Sequence, residues 1–393
     1  MTRSPIGGPA RHPTLGIDLS NTIEAPSISG VQRVALGLTE ALRGAWPVVM
    51  LDGRSGSLSP ADSVALARLR RLEEGRRGAT IAGRIETRLR RLRRSVGDTP
   101  GRPARQDLEP GDVLLDLEPS WHAPQARSEL LPQLRFHDIN TAVLLHDVLP
   151  LTDPQWFPPV SVERFTSWFE AHLAADSTLL AISASTADSV EERTHRRPTI
   201  IRLGAEASVR NASSSSHGHG LLMLGTVEPR KGHSVVLDAL DLLGPRAPIV
   251  DVVGRPGWAP SDLLDRLREH PKIRWHQHAS DREVAQLWAV TGLLLQPTLG
   301  EGYGLPVVEA LQRGIAVVAS DIPVMHEVAR GQAVHLPADP VSWAATMSDF
   351  ARDPDAWPGP IPLEWPTWSD GAGDILDALR AAGRWPDQDP TSR

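Results

Sequence analysis

Two neighbouring cations, Arg230 and Lys231, lie within LLMLGTVEPRKGHSVVLDAL (221–240), after an apolar run and Gly225. A planar guanidinium fork beside a compact ammonium suits a diphosphate at the mouth of an α/β crevice. The alternative is a pair of exposed charges at the start of a helix. Lysine is scarce in this chain: 39 of the 41 basic residues are arginine, and only Lys231 and Lys272 are lysine. A second stretch, LGEGYGLPVVEALQRGIAVVAS (299–320), carries Glu301 and Glu309 eight positions apart, one in a loop and one early in a helix. Carboxylates there can accept hydrogen bonds from sugar or ribose hydroxyls. Gly300, Gly302 and Gly304 let the backbone come close to a ligand, and Pro306 suits a first helical turn whose free N–H groups favour phosphate. Tyr303 is the chain's single tyrosine.

These groups need elements to aim them. Short apolar runs at 14–19, 48–51, 113–117, 142–145, 179–182 and 199–203 alternate with helix-compatible stretches. The first runs into a polar loop with Gly30 and then Val31, Val34, Ala35, Leu38 and Leu42 at helical spacing. Such alternation predicts a parallel α/β sheet. After NASSSSHGHG (211–220), which reads as a linker, a second series of strands is predicted at 221–224, 249–253, 273–276, 293–296, 315–319 and 333–336. The expected organisation is two Rossmann-like domains in tandem, 14–210 and 218–364, with a closing segment at 365–385. Prolines 354, 358, 360, 362 and 366 mark an irregular connection before a helix near Asp374 to Leu379. The first residues, MTRSPIGGPARHP, read as a short leader without an apolar secretion core, and the last eight as a frayed end.

Composition narrows the chemistry. The 393 residues contain no cysteine, which excludes disulfides, thiolate-held metals and cysteine nucleophiles, and a formal charge of −7 gives no argument for nucleic acid. No apolar run approaches the roughly 18 residues of a membrane span, so a cytoplasmic protein is expected. Residues 65–96 stand apart, with eleven arginines against three glutamates and leucines and isoleucines at helical intervals. This basic amphipathic stretch is either a solvated helical insertion on the first domain or a surface for anionic lipid headgroups. It lacks the interleaved aromatics that stack nucleic-acid bases. Asp116 with Glu118, and His276 with His278, are the nearest approach to a metal pattern, and neither carries one; no metal and no cofactor are expected.

Taken in order, GTVEPRKG, EGYGLPVVE and GIAVVASDIPVMHEVA (314–329) resemble the retaining glycosyltransferases of family 4, which have the GT-B fold of two Rossmann-like domains facing a central cleft. SGVQRVALGLTEAL (29–42), VLLHDVLPLTDP (143–154) and LLAISASTADSV (179–190) are similar to the first half of that family, and PTWSDGAGDILDAL (366–379) to its closing helix, which crosses back to the first domain. The resemblance implies that Arg230 and Lys231 bind the donor diphosphate and offset leaving-group charge, with Gly225 and Thr226 beside them. Some relatives carry arginine where Thr226 stands, so phosphate binding here leans on the basic pair. Glu309 would accept from the ribose hydroxyls, and Glu301 would hold the donor sugar with backbone groups of Gly302, Tyr303, Gly304 and Leu305. His146 would face the sugar across the cleft, the alternative being a strand-end histidine bonded to backbone. Asp147 would orient its loop, and Gly30 would lie by the diphosphate where no side chain fits. Retention in the family is ascribed to front-face attack, the departing phosphate taking the acceptor's proton.

VVGRPGW (252–258) and the Gly-Val-Gln-Arg start resemble members acting in O-antigen or capsule assembly, many of them GDP-mannose-dependent. The implied activity is transfer of a hexose, with mannose favoured, to a glycan or lipid-linked glycan at the inner face of the cytoplasmic membrane. A UDP- or dTDP-sugar donor is one alternative. A catalytically silent GT-B partner subunit is another, and the intact Glu301, Glu309, Arg230 and Lys231 speak against it.

Overall fold

A computed structural model describes residues 12–24, 29–52, 59–78, 108–122, 126–204, 218–357 and 359–386. The first sheet is built from β1 (Leu15–Asp18), β2 (Val48–Asp52), β3 (Ser59–Pro60), β4 (Val113–Asp116), β5 (Asn140–Leu145), β6 (Thr178–Ala181) and β7 (Thr199–Ile200), in the order β3-β2-β1-β4-β5-β6-β7. Only the β2–β3 pairing is antiparallel. The second contains β8 (Gly220–Leu224), β9 (Val250–Val253), β10 (Ile273–His276), β11 (Thr291–Gln296), β12 (Ala316–Ser320) and β13 (Val334–Leu336), all parallel, in the order β10-β9-β8-β11-β12-β13. Both are open sheets with helices between successive parallel strands. The predicted strands appear within two residues of their expected starts; the two-residue β3 is an addition, too short to leave a period in the sequence.

Strands such as LGID, VLLD and VDVV are buried along their whole length, as expected where helices cover both faces of a parallel sheet. The helix Gly30–Ala45 starts at a capping box, Ser29 with Gln32, and buries Val34, Ala35, Leu38 and Leu42 in the core of the first half. The proline-rich connection leads to the helix Trp368–Ala381, also opened by a capping box, Thr367 with Asp370. Ile375, Leu376, Ala378 and Leu379 of this helix join the same core, so the end of the chain packs on the first half. Trp368 lies over Gly37, where a Cβ would come within 2.5 Å of the indole. Arg202 holds Asp374 at 2.7 Å, and Trp385 meets Trp46 edge-on.

The helix Ser63–Gly78 covers the start of the basic stretch. Its Ala65 and Leu69 are buried in the first core, and Arg68 donates to the Glu24 carbonyl. Residues 79–96, most of the linker and both chain ends lie outside the described residues. Among the described residues no helix is long and apolar enough to cross a membrane.

Each sheet has one point where the strand order reverses, between β1 and β4 and between β8 and β11. Ligands of open α/β sheets bind in the crevice at such points. In the first sheet that crevice is filled. Arg127 reaches Asp18 at 2.5 Å and Asp116 at 2.7 Å, and His172 adds a contact to Asp116 at 3.1 Å, all of them buried. Burial alone would raise the Asp116 carboxyl, but Arg127 and His172 outweigh it and hold the group well below the usual range. Glu118 completes the plug by accepting from the Asn21 and Thr22 N–H groups. The pair considered for a metal is thus engaged by protein donors.

Burial pushes Glu118 up to about 8, with the Thr22 hydroxyl acting against the shift and Asp18 adding to it. The folded protein then keeps a proton that the unfolded chain gives up near 4.5, so the contribution of Glu118 to stability is full below that pH and is lost as pH rises through the interval up to about 8. In Glu118→Gln this slope is expected to flatten in denaturant melts taken from pH 5 to about pH 8. An unchanged slope would place the titration elsewhere.

Candidate functional site

The second crevice is open to side chains that carry charge. β8 and β11 are parallel neighbours, with Leu222 beside Leu294, so the turns beyond their C-terminal ends face each other. The β8 turn runs through Gly225 to a single 3-10 turn, Pro229–Lys231, and Gly232 in the left-handed region. The Gly232 conformation is required, because a Cβ there would collide with the Pro297 carbonyl. The β11 turn leads through Gly304, also left-handed, to the helix Leu305–Gln312 with Pro306 in its first turn. Backbone lacing fixes the two turns together: Leu299 N–H donates to Arg230 O at 2.7 Å, and Thr298 Oγ1 donates to the same oxygen at 3.1 Å.

Arg230, Lys231 and Glu301 form one nearly enclosed cluster. Lys231 Nζ lies 2.5 Å from Glu301 Oε2, and Arg230 Nη1 lies 3.3 Å from the same atom while donating to Gly300 O at 2.9 Å. The Lys231 stem crosses over Gly225, whose Cα is 145° in φ and leaves that face bare. On the other side, Arg230 Nε is 3.0 Å from Glu228 Oε2. Burial would raise the Glu301 carboxyl, but Lys231 and Arg230 bring it below its ordinary range. Burial keeps Glu228 and Asp147 above theirs, against the pull of Arg230. His233, at the start of the next helix, is pushed down to about 3 by burial and by Lys231, so it is neutral. Two cations are therefore held close by carboxylates, and an incoming diphosphate can exchange for Glu301 as their partner.

The first half supplies the opposite wall. His146 follows β5, and its backbone carbonyl lies so near Gly302 that a Cβ there would fall 1.8 Å from it. Its ring Nε2 is 2.8 Å from the Leu117 carbonyl, which can only accept, so Nε2 carries the proton. Burial lowers the ring's pKa, leaving neutral imidazole with Nδ1 as acceptor. The backbone bond of the strand-end reading is present, made by Nε2 to Leu117 O. Asp147 accepts from Leu149 N–H at 3.1 Å and orients the loop, as expected.

Four further contacts join the halves around this wall. Ser183 Oγ donates to Gly302 O at 2.7 Å. Glu327 accepts from Ala184 N–H at 2.7 Å, at the start of the helix Ala184–Thr194. Trp258 Nε1 donates to Trp156 O at 2.7 Å. Arg33, on the helix that begins at Gly30, bonds Glu309 at 2.6 Å.

The structure brings Arg230, Lys231, Glu301, Gly225, Thr226 and the loop 300–305 together, with His146 across from them. Two of the residues named from the sequence, Gly30 and Tyr303, lie where the halves meet. Gly30 faces Leu305, but a Cβ there would meet only that leucine's Cδ1 at 3.6 Å, an ordinary contact, so the protein itself leaves room for a side chain. Tyr303 packs its ring against the cores of both halves, and burial raises its hydroxyl to about 12; it is a wedge between them. Glu309 is engaged by Arg33, a partner that sequence reasoning missed although Arg33 lies in the quoted SGVQR segment. Glu228, Ser183, Glu327 and the Trp156–Trp258 contact were also missed. Only Glu228, immediately before the Pro-Arg-Lys run, carried a local signal.

Residues 218–353 match the family described as Glycosyl transferases group 1. The serotype-specific mannosyltransferase WbdA of Escherichia coli is 29% identical over 306 residues, covering 68% of this chain but only 37% of WbdA. The O-antigen chain mannosyltransferase RfbU of Salmonella typhimurium is 24% identical over 232 residues, 58% of this chain and 64% of that protein. The chain thus spans well under half the length of WbdA. Among solved structures, Anabaena HepE in complex with UDP-glucose superposes with a TM-score of 0.60 at 14% identity, covering 94% of this chain and 95% of HepE. That likeness is one of fold. The segment that carries Arg230, Lys231, Glu301 and Glu309 is similar to the glycosyl transferases group 1 family, and the two sheets together form a GT-B fold.

Proposed function

We propose that this protein is a retaining hexosyltransferase that moves mannose from GDP-mannose to a glycan or lipid-linked glycan during cell-envelope polysaccharide assembly. The observation that carries the reading is the pair of enclosed cations, Arg230 and Lys231, held by an exchangeable carboxylate at the reversal point of the second sheet. In this reading the donor diphosphate displaces Glu301 from the pair. Glu301 then turns to the sugar hydroxyls, and Glu309 leaves Arg33 for the ribose. Neutral His146 accepts from a sugar hydroxyl through Nδ1.

The bond between the anomeric carbon and the diphosphate oxygen breaks, and its electrons leave with the phosphate, where Arg230 and Lys231 stabilise the developing charge. The acceptor hydroxyl forms the new bond on the same face and passes its proton to a departing phosphate oxygen. The two cations supply the charge that a divalent metal would otherwise bring, so turnover is expected to persist in EDTA. The names of the relatives support mannose. The complex of HepE with UDP-glucose favours a UDP-sugar as the second reading.

The reading places the enzyme in the cytoplasm, where nucleotide sugars are formed, and peripherally on the membrane when the acceptor is lipid-linked. The arginines of 65–96 then meet anionic headgroups. Neutralising several arginines between residues 84 and 94 should reduce cosedimentation with vesicles containing phosphatidylglycerol, more than it reduces donor hydrolysis. Wild-type protein that stays in the supernatant would remove the membrane part of the reading.

Arg230→Ala and Lys231→Ala are each expected to weaken nucleoside diphosphate binding and to cut turnover by roughly a hundredfold or more. Unaltered steady-state kinetics in both variants would rule out this site. A calorimetric panel of GDP, UDP, dTDP and ADP with their common sugars decides the donor. Selective GDP binding with mannose release supports the proposal, a UDP response selects the second reading, and silence towards all four points to a subunit without turnover.

A further inference from the structure

We propose that Trp258, with Phe157 beside it, is a platform on which a sugar ring of the acceptor stacks. This deepens the transferase reading and rests on it. The platform is assembled from both halves of the chain. Trp156 and Phe157 end the 3-10 turn Pro154–Trp156 in the first half, and Trp258 comes from the loop after β9 in the second. Trp258 Nε1 donates to the Trp156 carbonyl at 2.7 Å, and the rings of Trp258 and Phe157 lie 5.8 Å apart, inclined by 35°.

The residues that adjoin this pair in sequence, Trp156 and Gly257, reach the segments that carry the charged cluster. The Trp156 ring covers Gly300, where a Cβ would come within 2.5 Å of it, and Gly300 immediately precedes Glu301. Gly257, just before Trp258, lies against Thr226 and Glu228. Further along the same loop and helix, at Glu309, the neighbour from the first half is Arg33. The aromatic group is therefore at the Gly300 end, away from the carboxylate assigned to ribose.

Trp258 is 41% exposed, yet its one polar atom is already bonded to backbone. What it offers outward is an apolar, electron-rich ring held at a fixed angle. A nucleobase or a pyranose could stack on such a face. The pyranose is favoured here, because its apolar C–H face can lie on the indole, and the adjoining Trp156 covers Gly300, next to Glu301, while the carboxylate assigned to ribose lies with Arg33.

The test separates acceptor from donor and ring from hydrogen bond. With the nucleotide sugar selected by the panel and mannotriose as acceptor, Trp258→Ala is expected to raise the acceptor KM about tenfold, and the donor KM far less. Trp258→Phe keeps an aromatic face but loses the N–H bond to Trp156, and it should restore most of the acceptor affinity. A Phe variant as impaired as Ala would show that the bond between the halves matters and would overturn the platform. A donor KM that rises in step with the acceptor KM would overturn it as well. Calorimetric titration with mannotriose alone reads the platform without turnover: heat retained in wild type and Trp258→Phe but lost in Trp258→Ala supports it, and equal heats, or none in any of the three, refute it. Loss of all nucleotide binding in wild type would instead sink the transferase reading, so the two failures are distinguishable.

Discussion

Enclosing two cations side by side is the constraint around which this molecule is arranged. Arg230 and Lys231 lie where water is largely excluded, and charges without partners in such a place would be costly. Glu301 and Glu228 meet that cost on either side. The arrangement depends on β8 and β11 being adjacent, since only then do the turns that carry cation and carboxylate meet. Glycines at 225, 232 and 304 supply the conformations that bring them into register.

The two sheets repeat one topology with opposite outcomes. At the reversal point of the first, Asp18, Asp116, Arg127 and His172 satisfy one another and leave no room. At the second, the ion pairs lie at the end of a cleft whose far wall belongs to the other half of the chain. Carboxylates appear in both places, on strands of the sheet in the first and in the turns beyond the strands in the second. Its surroundings are loops, whose contacts can be remade at lower cost than those of buried strands.

Several of those contacts are between halves. Ser183 reaches the Gly302 carbonyl, Glu327 accepts from the start of a first-half helix, Arg33 holds Glu309, and Tyr303 fills the space between two cores. The helix Trp368–Ala381 adds a covalent return of the chain to the first core, fixed by Trp368 over Gly37. The cleft is thus bordered by polar contacts of modest individual strength, while each sheet is stabilised by its own apolar layers.

The sequence by itself determined the strands, the glycine-bearing turns, the basic pair, the glutamate loop and the closing helix, because apolar periodicity and local backbone demands are written within a few residues of where they act. Only the tertiary structure decided which groups those residues meet. Arg33 and Glu309 are 276 positions apart and Trp156 and Trp258 are 102 apart, and no local period links either pair. The space beside Gly30 and the packing of the Tyr303 ring likewise depend on how one sheet is set against the other. A side chain's type fixes what it can bind, but its partner is fixed by long-range packing, which places chemically competent groups within or beyond hydrogen-bond reach.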